Sequence, residues 1–102
     1  MELEQLRIFA AAADCGGFSQ AARRLYLSHS TVSRAVAALE AELGVRLVDR
    51  DSHGFALTPA GESLREDAGE LLRLAAEAAQ RARAAAPQIK ASPSADADQL
   101  RR

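Results

Sequence analysis

The sequence predicts a mainly α-helical protein with three helices, a small β-hairpin and one long final helix. Three observations lead to this prediction. Apolar residues recur at helical spacing through residues 2–43, with two short interruptions rich in glycine and serine. Between residues 45 and 57 the pattern becomes β-like on both sides of a turn-forming stretch. Helical spacing then resumes at Thr58 and continues without a break to Pro87.

The first helix is predicted from Glu2 to about Asp14, and Cys15-Gly16-Gly17 ends it because glycine readily adopts the left-handed backbone of a helix terminus. Its apolar positions, which we expect to face the core, are Leu3, Leu6, Phe9, Ala10 and Ala13. Cys15 is expected to be a buried or half-buried structural residue.

The second helix is predicted from Ser19 to Tyr26, with Ser19 as its N-cap and Phe18 as an anchor just before it. Its inward positions are Ala21, Ala22 and Leu25. Leu27 then fills a tight connection to the next helix. Links this short require the helices to pack closely.

The third helix is predicted to begin after the N-cap Ser28 and to end at Gly44. One face is apolar and is assigned to the core, through Val32, Val36, Leu39 and Leu43. The opposite face is unusually small and carries little charge, since it consists of Ser30, Arg34, Ala37, Ala38 and Ala41. A helix face exposed only to solvent normally carries Lys and Glu.

Residues 45–50 and 55–57 are predicted to be the strands of the hairpin, with turn residues at 51–54. Thr58 can cap the last helix, which continues to about Ala86 with Pro59 in its first turn. A helix of about 28 residues spans roughly 40 Å, too long to be covered by one small module. Its heptad seam therefore predicts a homodimer, through Leu64, Ala68, Leu71, Ala75, Ala78 and Ala82. The Pro- and Ser-rich residues 87–102 are predicted to be a disordered tail.

The composition restricts the function. The 102 residues suffice for one small domain, and 13 basic against 14 acidic residues give a net charge of −1. This balance argues against attachment to nucleic acid or membrane by bulk charge, although it allows a small basic footprint. Two histidines and one cysteine form no recognisable nucleophile–base pair or metal set, so we expect neither an enzyme nor a cofactor. With no disulfide, signal peptide or membrane span, the expected location is cytoplasmic.

The order of elements is that of a winged helix-turn-helix, in which the third helix enters the DNA major groove. This role explains the small, nearly uncharged face of the third helix (the bare face), because a groove about 12 Å wide admits a helix with short outward side chains. The helix N-terminus also offers free backbone donors to a phosphate. The candidate contact residues are Ser28, His29, Ser30, Thr31, Ser33 and Arg34.

The run FSQAARRLYLSHSTVSRAVAALEAELGVRLVDR, followed by LTPAGE, resembles the N-terminal DNA-binding domain of LysR-type transcriptional regulators. The resemblance covers about residues 2–86. It implies a bacterial transcription regulator that dimerises through a linker helix and binds partly symmetric operator sites in double-stranded DNA. On this pattern residues 1–58 are the DNA-binding domain and 59–86 the linker helix.

The resemblance also implies roles for particular residues. The start of the family's third helix contacts bases and phosphates, which here assigns this role to His29, Ser30, Thr31, Ser33 and Arg34. The wing tip reaches the neighbouring minor groove or backbone, which here assigns it to Arg50, Ser52 and His53.

The sequence departs from the family pattern at several places. His29-Ser30 replaces a common Gln-Pro, Ala37 and Ala38 replace frequent basic residues, and the wing tip has no arginine. Residues 1–60 contain six arginines against seven acidic residues. Fewer phosphate contacts predict weaker non-specific affinity and a shallower salt dependence. Family members normally continue into an effector-binding domain, whereas this chain ends after the linker helix, so no small-molecule inducer is expected to bind it.

Two other interpretations stay open. The heptad helix could pair with a full-length relative and antagonise its DNA binding, which would make the chain a protein-interaction module. The chain could also be a gene remnant that folds without a role. DNA binding by the chain alone would make the antagonist hypothesis unnecessary.

Overall fold

The computed structural model of the chain describes residues 1–87, which form four α-helices in the predicted order. The predicted tail at 87–102 lies outside the described residues apart from Pro87. The helices are α1 (Leu3–Cys15), α2 (Phe18–Leu25), α3 (His29–Leu43) and α4 (Pro59–Ala85). The first three pack around one core, and the N-terminal part of α4 lies against α1.

Helix α1 provides the largest fully buried side chains of the core, Leu6 and Phe9. The backbone amide of Glu2 donates to the side chain of Gln5, which closes the first turn. Gly16 ends the helix with a φ of 77°, as predicted for a left-handed terminus. Leu3 was expected in the core, but it is 54% exposed.

Helix α2 begins one residue earlier than predicted. Gly17 is its N-cap and Phe18 its first residue, so the prediction that Ser19 caps the helix is wrong. Phe18 is half-buried and packs against the core cluster. Ala21 and Ala22 are buried as expected.

Helix α3 begins and ends as predicted. The Ser28 hydroxyl accepts a hydrogen bond from the Thr31 amide at 3.1 Å, and Gly44 adopts a φ of 72° at the C-terminus. The inward face is fully buried at Val32, Val36 and Leu39. The fourth expected core position, Leu43, is 41% exposed, because the helix terminus extends past the core.

The predicted hairpin is not confirmed. Within residues 1–87 the segment forms no strand, only an isolated antiparallel bridge between Val48 and Leu57. A hydrogen bond from the Asp49 amide to the Ala56 carbonyl, at 2.9 Å, stands beside it. Leu47 and Val48 of this segment are buried in the core. We call residues 45–57 the wing segment, or wing.

Thr58 and Gly61 connect the wing to α4. The Thr58 hydroxyl donates to the Arg46 carbonyl at 2.6 Å and accepts from the Gly61 amide at 3.0 Å, so it caps α4 as predicted. Gly61 is buried against the Leu47 carbonyl, in a space that no side chain could share. The LTPAG motif therefore packs the start of α4 closely against the backbone at Arg46 and Leu47.

Candidate nucleic-acid interface

The connection between α2 and α3 is a tight turn of three residues. Tyr26 adopts the left-handed backbone with a φ of 59°, and the Leu27 amide donates to the Ala22 carbonyl at 2.9 Å. Leu27 is half-buried against the core, while the Tyr26 ring is 95% exposed. This turn fixes α3 against α2 and leaves the N-terminus of α3 facing solvent.

Three hydroxyl groups cluster at the N-terminus of α3. The Ser28 Oγ lies 2.8 Å from the Thr31 Oγ1 and 3.2 Å from the Ser30 Oγ. Ser28 and Ser30 are exposed, and Thr31 is half-buried. Hydroxyls can donate or accept, so this end of the helix can bind base edges or a phosphate.

One turn further along α3, Arg34 is exposed on the same surface. Its guanidinium forms no ion pair with any residue between 1 and 87, whereas those of Arg7 and Arg50 do. Ser33 beside it is half-buried, and the next turn presents the exposed Ala37 and Ala38. The helix surface therefore consists of short polar groups, one free cation and an uncharged extension.

His29 and the wing lie on either side of the start of α2. The His29 ring meets the Phe18 ring edge-on at 6.0 Å, and Phe18 meets Phe55 of the wing at 5.9 Å. Of the residues expected at the wing tip, Ser52 is half-buried and His53 is exposed. The structure thus places His29, at the start of α3, and Phe55, in the wing segment, around the Phe18 ring.

Sequence reasoning did not single out Glu40, although it is the one charged residue that is buried among those the structure describes, with 7% exposed. Its Oε2 accepts from the amides of Leu47 and Val48 at 2.8 and 3.2 Å. Its Oε1 accepts from Arg50 at 2.8 Å. The sequence contains one signal that could have pointed to this ion pair. Glu40 lies beside the apolar face of α3, ten residues before the basic Arg50.

Arg50 was expected at the wing tip in contact with DNA. Its guanidinium instead points back to Glu40 and lies 6.0 Å from the centroid of the Phe18 ring, within the range of a cation–π interaction. The side chain is 39% exposed. Arg50 therefore lies at the base of the wing, while its tip is formed by residues 51–54.

The heptad seam of α4 is divided between the domain and solvent. Ala68 is fully buried within the protomer and Leu64 packs against the core, so these two predicted dimer residues lie on the chain's own domain. Leu71 is 40% exposed, and Leu74 beside the seam is 51% exposed. Ala75 is half-buried, while Ala78 and Ala82 are exposed. The accessible apolar surface of α4 thus begins at Leu71.

Residues 3–62 match the family described as bacterial regulatory helix-turn-helix protein, lysR family. The match covers more than half of the chain and includes all of α1, α2 and α3. The chain belongs to the LysR family. The predicted family and its helix-turn-helix are thereby confirmed, and no enzyme family is indicated.

The curated LysR-type relatives are transcriptional regulators. TcbR of Pseudomonas sp. (strain P51) is 45% identical over 86 residues, which are 84% of this chain and 29% of that protein. TfdS of Cupriavidus pinatubonensis is 48% identical over 85 residues, which are 83% of this chain and 29% of that protein. The chain thus spans less than a third of the length of these relatives.

Solved LysR-type structures share the fold. The CbnR DNA-binding domain in complex with DNA has a TM-score of 0.79 and 45% identity, covering 85% of this chain and 100% of that one. The BenM DNA-binding domain in complex with benA site DNA has a TM-score of 0.80 and 32% identity, covering 84% and 100%. Of the helices in residues 1–87, none has both the length and the apolarity needed to span a bilayer.

Proposed function

We propose that the chain binds double-stranded DNA sequence-specifically and regulates transcription as a dimer, with α3 in the major groove of a partly symmetric operator. The observation that carries this proposal is the surface at the start of α3. There the clustered hydroxyls of Ser28, Ser30 and Thr31 stand beside the free guanidinium of Arg34. The likeness to DNA-bound domains of the same family supports it.

Within this surface, the residues have separate roles. Arg34 would bind a guanine edge or a phosphate, because its guanidinium is free and its stem extends from the bare face. Ser30, Thr31 and Ser33 would bind base edges or backbone, with His29 at the margin towards the wing. Ser52 and His53 would contact the adjacent minor groove or backbone.

The division of the chain follows from the same proposal. Residues 1–58 would form the DNA-binding domain, and α4 within residues 59–86 would join two copies. The exposed apolar residues Leu71 and Leu74 support this division, because an apolar stripe on a helix that extends from its domain is stabilised by a partner.

The test begins by selecting operator duplexes in vitro from a random library with the unaltered chain. Footprinting and titration then compare it with Arg34→Ala. We expect Arg34→Ala to weaken binding by about 1–3 kcal/mol, as for loss of a bidentate base contact, with the helical circular dichroism unchanged. Arg83→Ala is the matched control, because Arg83 is exposed in the last turn of α4, far from the α3 surface.

The outcomes are distinct. Recovery of no preferred duplex would contradict sequence-specific binding. Unchanged affinity of Arg34→Ala for the selected duplex would contradict the assignment of α3 as the recognition helix, even if DNA binding itself stands. A loss in Arg34→Ala with none in Arg83→Ala supports both.

A further inference from the structure

We propose that Glu40 and Arg50 are positioning residues that hold the wing against the recognition helix, and that Arg50 does not bind DNA itself. The proposal rests on the proposed function, since it concerns the same DNA-binding surface. The juxtaposition that carries it is a chain of contacts from Glu40 on α3, through Arg50 of the wing, to Phe18 at the start of α2.

The Glu40 carboxylate joins α3 to the residues that follow it. Both of its oxygens are used: one accepts from the Leu47 and Val48 amides, and the other accepts from Arg50. A buried carboxylate is expensive to desolvate unless it is paired and hydrogen-bonded, and here these three donors satisfy it. The carboxylate therefore fixes where the backbone of the wing begins.

Arg50 connects Glu40 to Phe18. Its guanidinium binds Glu40 at 2.8 Å and lies 6.0 Å from the Phe18 centroid. Phe18 in turn contacts Phe55, at the far end of the wing, and His29, at the start of α3. The Phe18 ring thus contacts both ends of the surface that is proposed to face DNA.

The backbone hydrogen bonds of the wing segment provide little of this positioning. The segment has a single antiparallel bridge, between Val48 and Leu57, and two-stranded ribbons are only marginally stable alone. Side-chain contacts at the base of the wing must therefore hold it. A guanidinium that is already bound to a carboxylate is also a poor phosphate ligand, because the carboxylate neutralises its charge.

Glu40→Gln separates this proposal from direct phosphate binding, because the two predict opposite signs. If Arg50 bound phosphate, removing Glu40's charge would free it and raise the affinity for the selected duplex. We expect the affinity to fall roughly ten-fold, equivalent to about 1.4 kcal/mol. Glu42→Gln is the matched control, since it removes the same charge two residues away on an exposed side chain. Increased affinity in Glu40→Gln would overturn the proposal.

Arg50→Gln supplies a second measurement that does not depend on the folding of Glu40→Gln. We expect weaker binding with an unchanged slope of log K against log salt, whereas loss of a phosphate contact lowers that slope by about one. The double variant should bind no more weakly than the weaker-binding of the two single variants, because the Glu40–Arg50 contact is already lost in each of them. A slope reduced by about one, or additive losses, would overturn the proposal.

A measurement without DNA distinguishes failure of this proposal from failure of the proposed function. In nuclear magnetic resonance spectra, the Gly54 amide and the Phe55 ring should shift in both Glu40→Gln and Arg50→Gln, but not in Glu42→Gln. Unshifted wing resonances would overturn the positioning role. Shifted wing resonances in a chain that binds no duplex would leave the positioning of the wing supported and overturn DNA binding.

Discussion

At the scale of single residues, Gly61 shows how closely α4 approaches the segment that follows α3. A Cβ added there would overlap the Leu47 carbonyl and lie 3.2 Å from the Leu57 Cβ. The Leu47 carbonyl also accepts from the Thr58 amide, so it cannot move away freely.

We expect Gly61→Ala to lower the free energy of unfolding by about 1–3 kcal/mol, because the backbone must shift to admit the methyl group. Gly69→Ala is the matched control on the same helix, where an added Cβ meets nothing within 4 Å. It should stabilise the protein by up to about 1 kcal/mol through helix propensity. Urea unfolding measures both, and equal effects of the two substitutions would contradict this packing.

At the scale of one element, α3 combines a polar N-terminus with a second half that carries no basic residue, its charged residues being Glu40 and Glu42. Arg34 is its one exposed cation, and the following turn presents Ala37 and Ala38. The helix can therefore approach DNA closely without adding electrostatic affinity along its length. This arrangement favours base reading near the N-terminus over non-specific attachment.

We expect Ala38→Lys to raise the affinity for duplexes of any sequence and to steepen the salt dependence by about 0.9 in the slope of log K against log salt, as for one added phosphate contact. The measurement is fluorescence anisotropy over a salt series. Ala76→Lys, exposed on α4, is the matched control and should leave the slope unchanged. Equal slopes for the two variants would contradict the placement of the second half of α3 beside DNA.

At the scale of the whole molecule, α4 makes the protein elongated, with principal extents of 58 × 26 × 22 Å. Its first turns pack on the domain through Leu64 and Ala68, and its remainder extends beyond it. Along that remainder, Arg73 and Arg81 both pair with Glu77, at 2.9 and 3.6 Å. Such exposed pairs contribute little stability, so we expect the apolar side of the extended part of α4 to be covered by a partner.

We expect the chain to sediment as a dimer at micromolar concentrations and Leu71→Glu to shift it to a monomer, because a carboxylate on the exposed seam must be desolvated on association. Gln80→Glu places the same charge on the opposite side of α4 and should leave the dimer intact. Sedimentation of the unaltered chain only as a monomer at tens of micromolar would contradict the dimer.

The helices and most of their termini could be predicted from the sequence by itself, because their determinants are local; the start of α2 at Phe18 is the exception. Ser28 and Thr58 cap their own helices, and Gly44 ends α3 with the left-handed backbone that glycine permits. The candidate residues at the start of α3 could be predicted for the same reason, since a helix N-terminus places neighbouring side chains together.

Only the tertiary structure decided which side chains are covered and where the wing lies. Leu3 and Leu43 match a core pattern but are 54% and 41% exposed, whereas Glu40 is buried and accepts from three donors in residues 47–50. Arg50 is one of these donors. The periodicity of apolar residues predicts the helix face on which a residue lies. Whether that residue is buried or paired depends on which other part of the chain packs against that face.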